Sequence, residues 1–371
     1  MKKIKQQEFS YLSPFIHTSR SVKSIYFSFI FLLLPQIVLL FIQHDMYATL
    51  NIFSSTTATL ICQGIVYYTE KSTFKIPFKA LLQGLLIGFF MPTNIGFFFV
   101  FMLSFLGFFL TQVAFGKAGR WLHSLAIVLI IAYISYPELF SFPQQLAHPA
   151  QNGRQTESSK PKESIIASDE KEEEKATLST THAPSSTLQS PQTSHANARG
   201  ISSIASFLNA YILNNLGVHL PEGYLSLFWD SSHDIPALRY NLLTIIASII
   251  LLSLKVYDYT ISLLFLLVYS LLVYCFGKVA TAGLFEGDIL YSLLSGGVLF
   301  ITFFALAEPH SFPKTFRFKL LSAIFIGVVS FLLANEQASY ITISFAILLL
   351  NVISPFVEEI EKKTRIKHSL C

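Results

Sequence analysis

Ile25-Tyr26-Phe27-Ser28-Phe29-Ile30-Phe31-Leu32-Leu33-Leu34-Pro35-Gln36-Ile37-Val38-Leu39-Leu40-Phe41-Ile42 carries no charge, is flanked by Lys23 and Asp45, and is long enough to cross a bilayer's hydrocarbon as a helix. Nine further apolar stretches follow, each near the spanning length except the second of them. They are Tyr47–Tyr68, Pro77–Met91, Ile95–Phe115 and Trp121–Phe140, then Leu238–Leu254, Tyr259–Phe276, Ile289–Ala307, Phe318–Ala334 and Tyr340–Val357. All are continuous Phe, Leu and Ile runs, without the period-two alternation of a membrane β-barrel. Helices are required because an unpaired peptide group in lipid costs several kcal/mol.

The composition agrees. Of 371 residues, 52% are hydrophobic and only 13% charged, and the 36 Phe outnumber all 22 Asp and Glu. Too little charge is present to cover a water-soluble surface of this size. A net charge of +4, with basic residues scattered between apolar blocks, also excludes a nucleic-acid-binding stripe. Cys62, Cys275 and Cys371 stand far apart, which fits neither a structural zinc site nor a cysteine-ligated cluster. The start, Met1-Lys2-Lys3-Ile4-Lys5, precedes a long first span without a small-residue cleavage site, so that span reads as retained.

Orientation follows from the cations. With the N-terminus in the cytoplasm and ten alternating spans, 18 of the 26 Lys and Arg fall on the cytoplasmic side. Six of the rest lie in one long loop, which the positive-inside rule largely ignores, leaving Arg239 and Lys278 as exceptions. The expected arrangement is a multi-pass membrane protein with both termini cytoplasmic.

The expected organisation is a cytoplasmic segment at 1–24, a first five-helix half at 25–142, a linker at 143–206, an interfacial segment at 207–237, a second five-helix half at 238–357 and a cytoplasmic tail at 358–371. The linker contains no Phe, Trp or Tyr and carries the acidic run Asp169-Glu170-Lys171-Glu172-Glu173-Glu174. Such a composition favours a flexible extracytoplasmic segment. Ile204, Phe207, Leu208, Tyr211 and Ile212 then recur at helical spacing, as in a helix lying in the interface.

Five spans per half make the halves cross in opposite senses, as in inverted-repeat transporters. Leu81-Leu82-Gln83-Gly84-Leu85, running to Met91-Pro92, and Leu293-Leu294-Ser295-Gly296-Gly297, running to Glu308-Pro309, occupy matching third spans. Gly84 and Gly296 are 212 positions apart, and the halves' first spans begin 213 apart (Ile25, Leu238). Glycine permits close helix approach or a break, so interrupted third spans meeting at a central site are expected.

Several motifs resemble one family. Ser13-Pro14-Phe15-Ile16-His17-Thr18 is similar to a Ser-Pro-His opening, Leu85 through Pro92 to a Gly-Leu-Leu…Leu-Pro turn, and Phe115-Gly116-Lys117-Ala118-Gly119 to a Phe-Gly-Gly-x-Gly loop. Leu294-Ser295-Gly296-Gly297, leading through Phe303-Phe304 to Ala307-Glu308-Pro309-His310-Ser311-Phe312-Pro313, resembles Ser-Gly-Gly … Phe-Phe-x-Ala-Thr-Asp-Pro-x-Thr-Ser-Pro. Phe345-Ala346-Ile347-Leu348-Leu349-Leu350-Asn351, then Pro355 and Glu358, is similar to Phe-Ala-Ile-Leu-Leu-x-Asn … Pro … Asp. These are motifs of the RnfD/NqrB family, membrane subunits of Rnf electron-transport complexes and of the sodium-pumping NADH:quinone oxidoreductase. The short segment before the first span looks more like the Rnf branch. Departures are Ala307-Glu308 in place of Thr-Asp, and Trp121-Leu122-His123-Ser124-Leu125-Ala126 in place of an Asn-Pro stretch.

The resemblance implies a subunit that carries electrons through flavin and couples them to Na⁺ or H⁺ movement, beside other membrane and peripheral subunits in the lipid bilayer. It implies FMN linked to a Thr on the extracytoplasmic side. The comparable fragment is Lys175-Ala176-Thr177-Leu178, which lacks the family's Gly, so Thr177 is the candidate attachment residue; riboflavin is a further candidate cofactor. No P-loop or Rossmann fingerprint is present, so NADH oxidation is expected on a partner.

For the ion pathway the candidates are Glu308, Asn351, Gly84, Gly296 and Gly297. A carboxylate at a span's end, beside a proline that frees a carbonyl, can bind a dehydrated cation or a proton, though it can equally be a solvated loop acid. Asn351, mid-span, can serve an ion or simply a helix–helix hydrogen bond. Gln83 and Asn94 share that ambiguity, and His233 and Asp234 are loop residues on the extracytoplasmic side. Two other readings stand beside the first: a stand-alone inverted-repeat transporter or channel for a small solute, and a scaffold subunit that has lost covalent FMN.

Overall fold

The computed structural model describes residues 21–69, 77–115, 122–140, 227–229, 233–254, 259–277, 288–308, 315–334 and 339–370. No strand occurs among them. Before the long gap lie α1 (Val22–Ile42), α2 (Met46–Thr69), α3 (Phe78–Phe90), α4 (Phe97–Phe109, continued by a π-helical turn Leu110–Ala114) and α5 (Ser124–Ser135). After it come a single turn (Pro236–Arg239), α6 (Asn241–Ser253), α7 (Thr260–Phe276), α8 (Ile289–Ser295), α9 (Val298–Phe300, continued by a π-helical turn Ile301–Ala305), α10 (Phe316–Leu333) and α11 (Ser339–Leu370).

Four segments, Val22–Ile42, Phe97–Ala114, Phe316–Leu333 and Ser339–Phe356, are long and apolar enough to cross a membrane, and α3, α5, α6 and α7 are shorter apolar helices. Large apolar side chains point away from the body: Phe27 is 57%, Phe53 68% and Phe98 63% exposed. Water would not tolerate so much exposed aromatic surface, whereas lipid does. The chain is a multi-pass membrane protein.

Helix ends have local causes. Met91 is extended (φ −79°, ψ 129°), as the residue before Pro92 must be, and α3 stops there. Asp288 caps α8 by accepting the Tyr291 amide at 3.1 Å. Gly297, at φ 66°, turns the chain into the left-handed region and ends the α8 direction before α9 begins.

The two third spans therefore differ. The span containing Gly296 and Gly297 is interrupted as expected, but α3 runs unbroken through Gly84. Gly84 and Gly88 instead let α3 press on α2. A methyl on Gly84 would fall 2.7 Å from Thr56 Cα, and one on Gly88 2.5 Å from Ile52 Cα. Hydroxyls exploit the approach: Ser55 donates to the Gly84 carbonyl at 2.8 Å and Thr59 to the Ala80 carbonyl at 2.9 Å. This is small-residue packing reinforced by interhelical hydrogen bonds.

Helix α2 packs on α3 and α4, α7 on α10, α10 on α11, α11 on α5, and α1 on α6. An aromatic seam joins residues from either side of the gap. Phe90 meets Phe300 edge-on at 5.2 Å and stacks on Tyr340 at 5.3 Å, while Phe29 meets Phe304 at 6.0 Å. Contacts of this kind contribute about 0.5–1.5 kcal/mol each beyond their burial.

Candidate functional site

Four side chains converge on one end of the bundle, where α1, α3 and α5 begin and where the α9 rod ends. Glu308 is buried at 2% exposure, with two hydrogen-bond donors and an imidazole around it. Gln83 Nε2 donates to both carboxylate oxygens (3.0 and 3.1 Å), and the Tyr26 hydroxyl donates to Oε1 at 3.3 Å. His123 Nε2 lies 3.0 Å from Oε2. Gln83 is itself held by Ser124, whose hydroxyl donates to Oε1 of the amide at 2.6 Å.

Each element delivers its residue for a reason. The π-helical turn before Glu308 closes Leu306 N–H onto the Ile301 carbonyl at 2.9 Å, and Glu308 N–H reaches Ala305 at 3.2 Å. The wider turn carries the chain inward rather than into a continued α-helix. Its Thr302 carbonyl is satisfied from outside the rod by the Ser262 hydroxyl of α7 at 3.0 Å. His123 is extended backbone immediately before α5, so its ring lies at that helix's mouth beside Ser124. Gln83 lies one helical turn after Lys79, whose ammonium acts electrostatically on Glu308.

The arrangement encloses an acid in a fully buried pocket where charges interact strongly. Gln83, Tyr26 and His123 come from before the long gap and the acid from after it, so the cluster ties the two parts together. The His123 ring is 0% exposed and neither of its nitrogens makes a hydrogen bond among the described residues, Nε2 meeting Glu308 as an ion-pair contact and Nδ1 meeting no polar partner.

A second polar cluster lies at the other end of α1. Arg239 NH1 pairs with Asp45 Oδ2, and Arg239 Nε donates to the His233 carbonyl at 2.5 Å. Tyr240 donates its hydroxyl to Gln43 Oε1, and Thr93 N–H donates to the Asp234 carbonyl at 3.0 Å. Arg239, an exception to the charge pattern, is thus a neutralised partner rather than a free cation. Between the clusters, Gln36 Nε2 donates to Thr244 Oγ1 at 3.1 Å, and Gln36 Oε1 is buried without a partner among the described residues.

Of the residues singled out from the sequence, Glu308 and Gln83 come together. Gly84 serves the α2–α3 contact. Gly296 abuts Ser339, whose Oγ would lie 2.5 Å from an added methyl, and Gly297 breaks the rod. Asn351 is buried at 2% exposure with both amide atoms unpartnered among the described residues, so it belongs to neither cluster. Asn94 is exposed, and His233 Nδ1 accepts the Ile235 amide at 3.1 Å. Thr177 and His17 lie outside the described residues. Sequence reasoning misses His123 and Tyr26 as site residues; the signal for His123 is its place in the stretch that departs from the family pattern.

Comparison with known proteins gives two relatives. A stretch of 136 residues is 21% identical to the D subunit of the proton-translocating ferredoxin:NAD(+) oxidoreductase complex of Clostridium ljungdahlii, covering 37% of this chain and 40% of that protein. A stretch of 148 residues is 25% identical to the D subunit of the ion-translocating oxidoreductase complex of Shewanella denitrificans, covering 39% of this chain and 41% of that protein. The matches thus span about two fifths of each relative. The sequence profile of the NQR2, RnfD, RnfE family reaches much further, matching residues 10–367, and the chain belongs to that family.

Proposed function

We propose that this chain is the membrane subunit of an Rnf-type ion-translocating oxidoreductase complex, and that Glu308 is its ion-handling residue. The observation carrying this reading is a buried acid, held by donors from the other part of the chain, at the end of an interrupted apolar rod. Ionisable groups at membrane depth are costly, and when present they mark ion paths. Family membership and the names of the two relatives support the same reading.

The proposal includes ten spans in two inverted halves. The packing supports it: α1 meets α6 and α5 meets α11, the first and last spans of each half, while α2 packs on α4 as α7 packs on α10. It also places the N- and C-termini in the cytoplasm, so that Glu308 faces the cytoplasmic side and Asp45–Arg239 the other.

The chain's own residues orient and shield the site. Gln83, fixed by Ser124, holds the carboxylate; Phe29 and Leu33 on the same stripe of α1, both fully buried, exclude water between the Glu308 cluster and Gln36. The flavin reading rests on the sequence around Thr177; FMN bound there would supply one-electron chemistry. Electron input from NADH or ferredoxin belongs to partner subunits.

The test is purification of the tagged chain from its native membranes, with mass spectrometry of what co-purifies, followed by ion uptake in vesicles holding that complex. Redox subunits and uptake lost in Glu308→Gln are expected. A chain that migrates alone and moves a small solute would make it a stand-alone transporter instead.

A further inference from the structure

We infer that Glu308 and His123 form a proton-exchange pair, with His123 Nδ1 as the atom that takes up and releases the proton. The inference rests on the proposal that Glu308 handles the ion, and it names that ion as a proton rather than sodium.

The ligand set among the described residues favours the proton. A dehydrated sodium ion needs several oxygen lone pairs converging on one point, commonly carboxylates and freed carbonyls. Around Glu308 the described polar groups do the reverse. Gln83 presents its amide N–H groups to the carboxylate, Tyr26 its hydroxyl and His123 its Nε2 edge. The one amide oxygen nearby, Gln83 Oε1, is already engaged by Ser124. Hydrogens converge on the acid, so the pocket complements an anion and its counter-charge, and the counter-charge 3.0 Å away is an imidazole.

The imidazole meets the carboxylate through Nε2, at ion-pair distance but without a hydrogen bond. In the neutral tautomer that carries its hydrogen on Nε2, the Nδ1 lone pair is open. That atom is buried and has no hydrogen-bond partner among the described residues. Uptake forms one N–H bond from this lone pair with a proton from water at the nearer membrane face; release breaks the same bond. No other bond changes and no electron is transferred. Loading turns imidazole–carboxylate into imidazolium–carboxylate, removing the pair's net negative charge. The other ionisable groups facing it among the described residues are Tyr26 of α1 and Lys79 of α3. Lys79 adds positive charge near the carboxylate in both states.

The test uses the whole complex reconstituted in vesicles and driven by its electron donor, with proton uptake followed by a pH-sensitive dye and sodium uptake by tracer. His123→Gln keeps an amide donor toward Glu308 but has no titrating Nδ1. The expected result is sodium-independent proton uptake that falls by about a hundredfold in His123→Gln, the scale of one lost acid–base group, with electron transfer uncoupled or slowed. A second readout is infrared titration of the full chain in nanodiscs: an imidazolium band that disappears in His123→Gln and shifts in Glu308→Gln. Sodium-dependent uptake abolished by Glu308→Gln but indifferent to His123→Gln would overturn the proton inference and leave the ion role of Glu308 intact. Uptake unchanged in both variants would overturn the ion role as well.

Discussion

Asp45 uses its two carboxylate oxygens for two tasks: Oδ1 accepts the Ala48 amide at 3.1 Å and caps α2, while Oδ2 pairs with Arg239, which precedes α6. The cap alone is an ordinary local device. The pair makes it a tie between residues 194 positions apart. At 1.5 Å rise per residue along α1, this tie stands about 25 Å from Tyr26 and Glu308. The body is therefore laced at both ends by acid-centred contacts between its earlier and later parts. Breaking one partner leaves a largely buried charge, so Arg239→Ala should lower stability by about 3 kcal/mol, near the lower end for buried pairs because Asp45 keeps some access to water. Asp45→Asn combined with Arg239→Leu should recover part of the loss. Cys62 is fully buried, so the temperature at which its thiol becomes reactive in detergent reports both effects.

The helices were legible in the sequence because their cause is local. Ile25–Ile42 and α1 nearly coincide, as do Pro77–Met91 and α3, since an apolar run in lipid has no alternative to helix and Pro92 ends its own segment. The break expected at Gly296–Gly297 is there, whereas the one expected at Gly84 is not, although both are glycines. The difference lies in what packs beside them: α2 offers Ser55 and Thr59 at the place where α3 approaches, which one-dimensional spacing cannot reveal. Glu308 stood out because acids are rare in apolar context. Its partners did not. Tyr26 is one of 16 Tyr and His123 one of 10 His, and only the tertiary fold brings them to the same carboxylate.

The glycines give a direct test of the α2–α3 contact. At both Gly84 and Gly88 a methyl would meet a hydroxyl of α2 (Thr59 or Ser55) and also its backbone, which, unlike a side chain, cannot swing away. Gly84→Ala and Gly88→Ala should each cost about 1–3 kcal/mol by forcing the helices apart. Gly297→Ala should cost about 1–2 kcal/mol from its left-handed φ alone. Gly64, with open space around it, is the control, and Gly64→Ala should not lower the Cys62 exposure temperature.

Replacing the acid separates charge from hydrogen bonding at the other end. Glu308→Ala strands the Gln83 amide and the His123 ring in a buried pocket, and should destabilise the chain by about 3–5 kcal/mol. Glu308→Gln keeps the shape and an acceptor, so a loss of about 1–3 kcal/mol is expected. Tyr26→Phe removes one long hydrogen bond and should cost about 1 kcal/mol. This order, read by thermal unfolding in detergent, distinguishes a packed ion pair from a solvated loop acid, for which all three variants would unfold together with wild type.

Flavin attachment is testable apart from ion handling. A phosphoester-linked flavin survives denaturation, so the full-length chain purified from its native membranes should fluoresce in a denaturing gel under ultraviolet light. Thr177→Ala should abolish the band's fluorescence without changing the temperature at which Cys62 becomes reactive, because Thr177 lies in a stretch of sequence free of aromatic residues and rich in Ser, Thr and charge. A wild-type band that stays dark while redox subunits still co-purify would assign this chain the role of a scaffold without covalent flavin. Fluorescence that persists in Thr177→Ala would move the attachment to another residue, and the neighbouring Thr180 and Thr181 are the first to substitute.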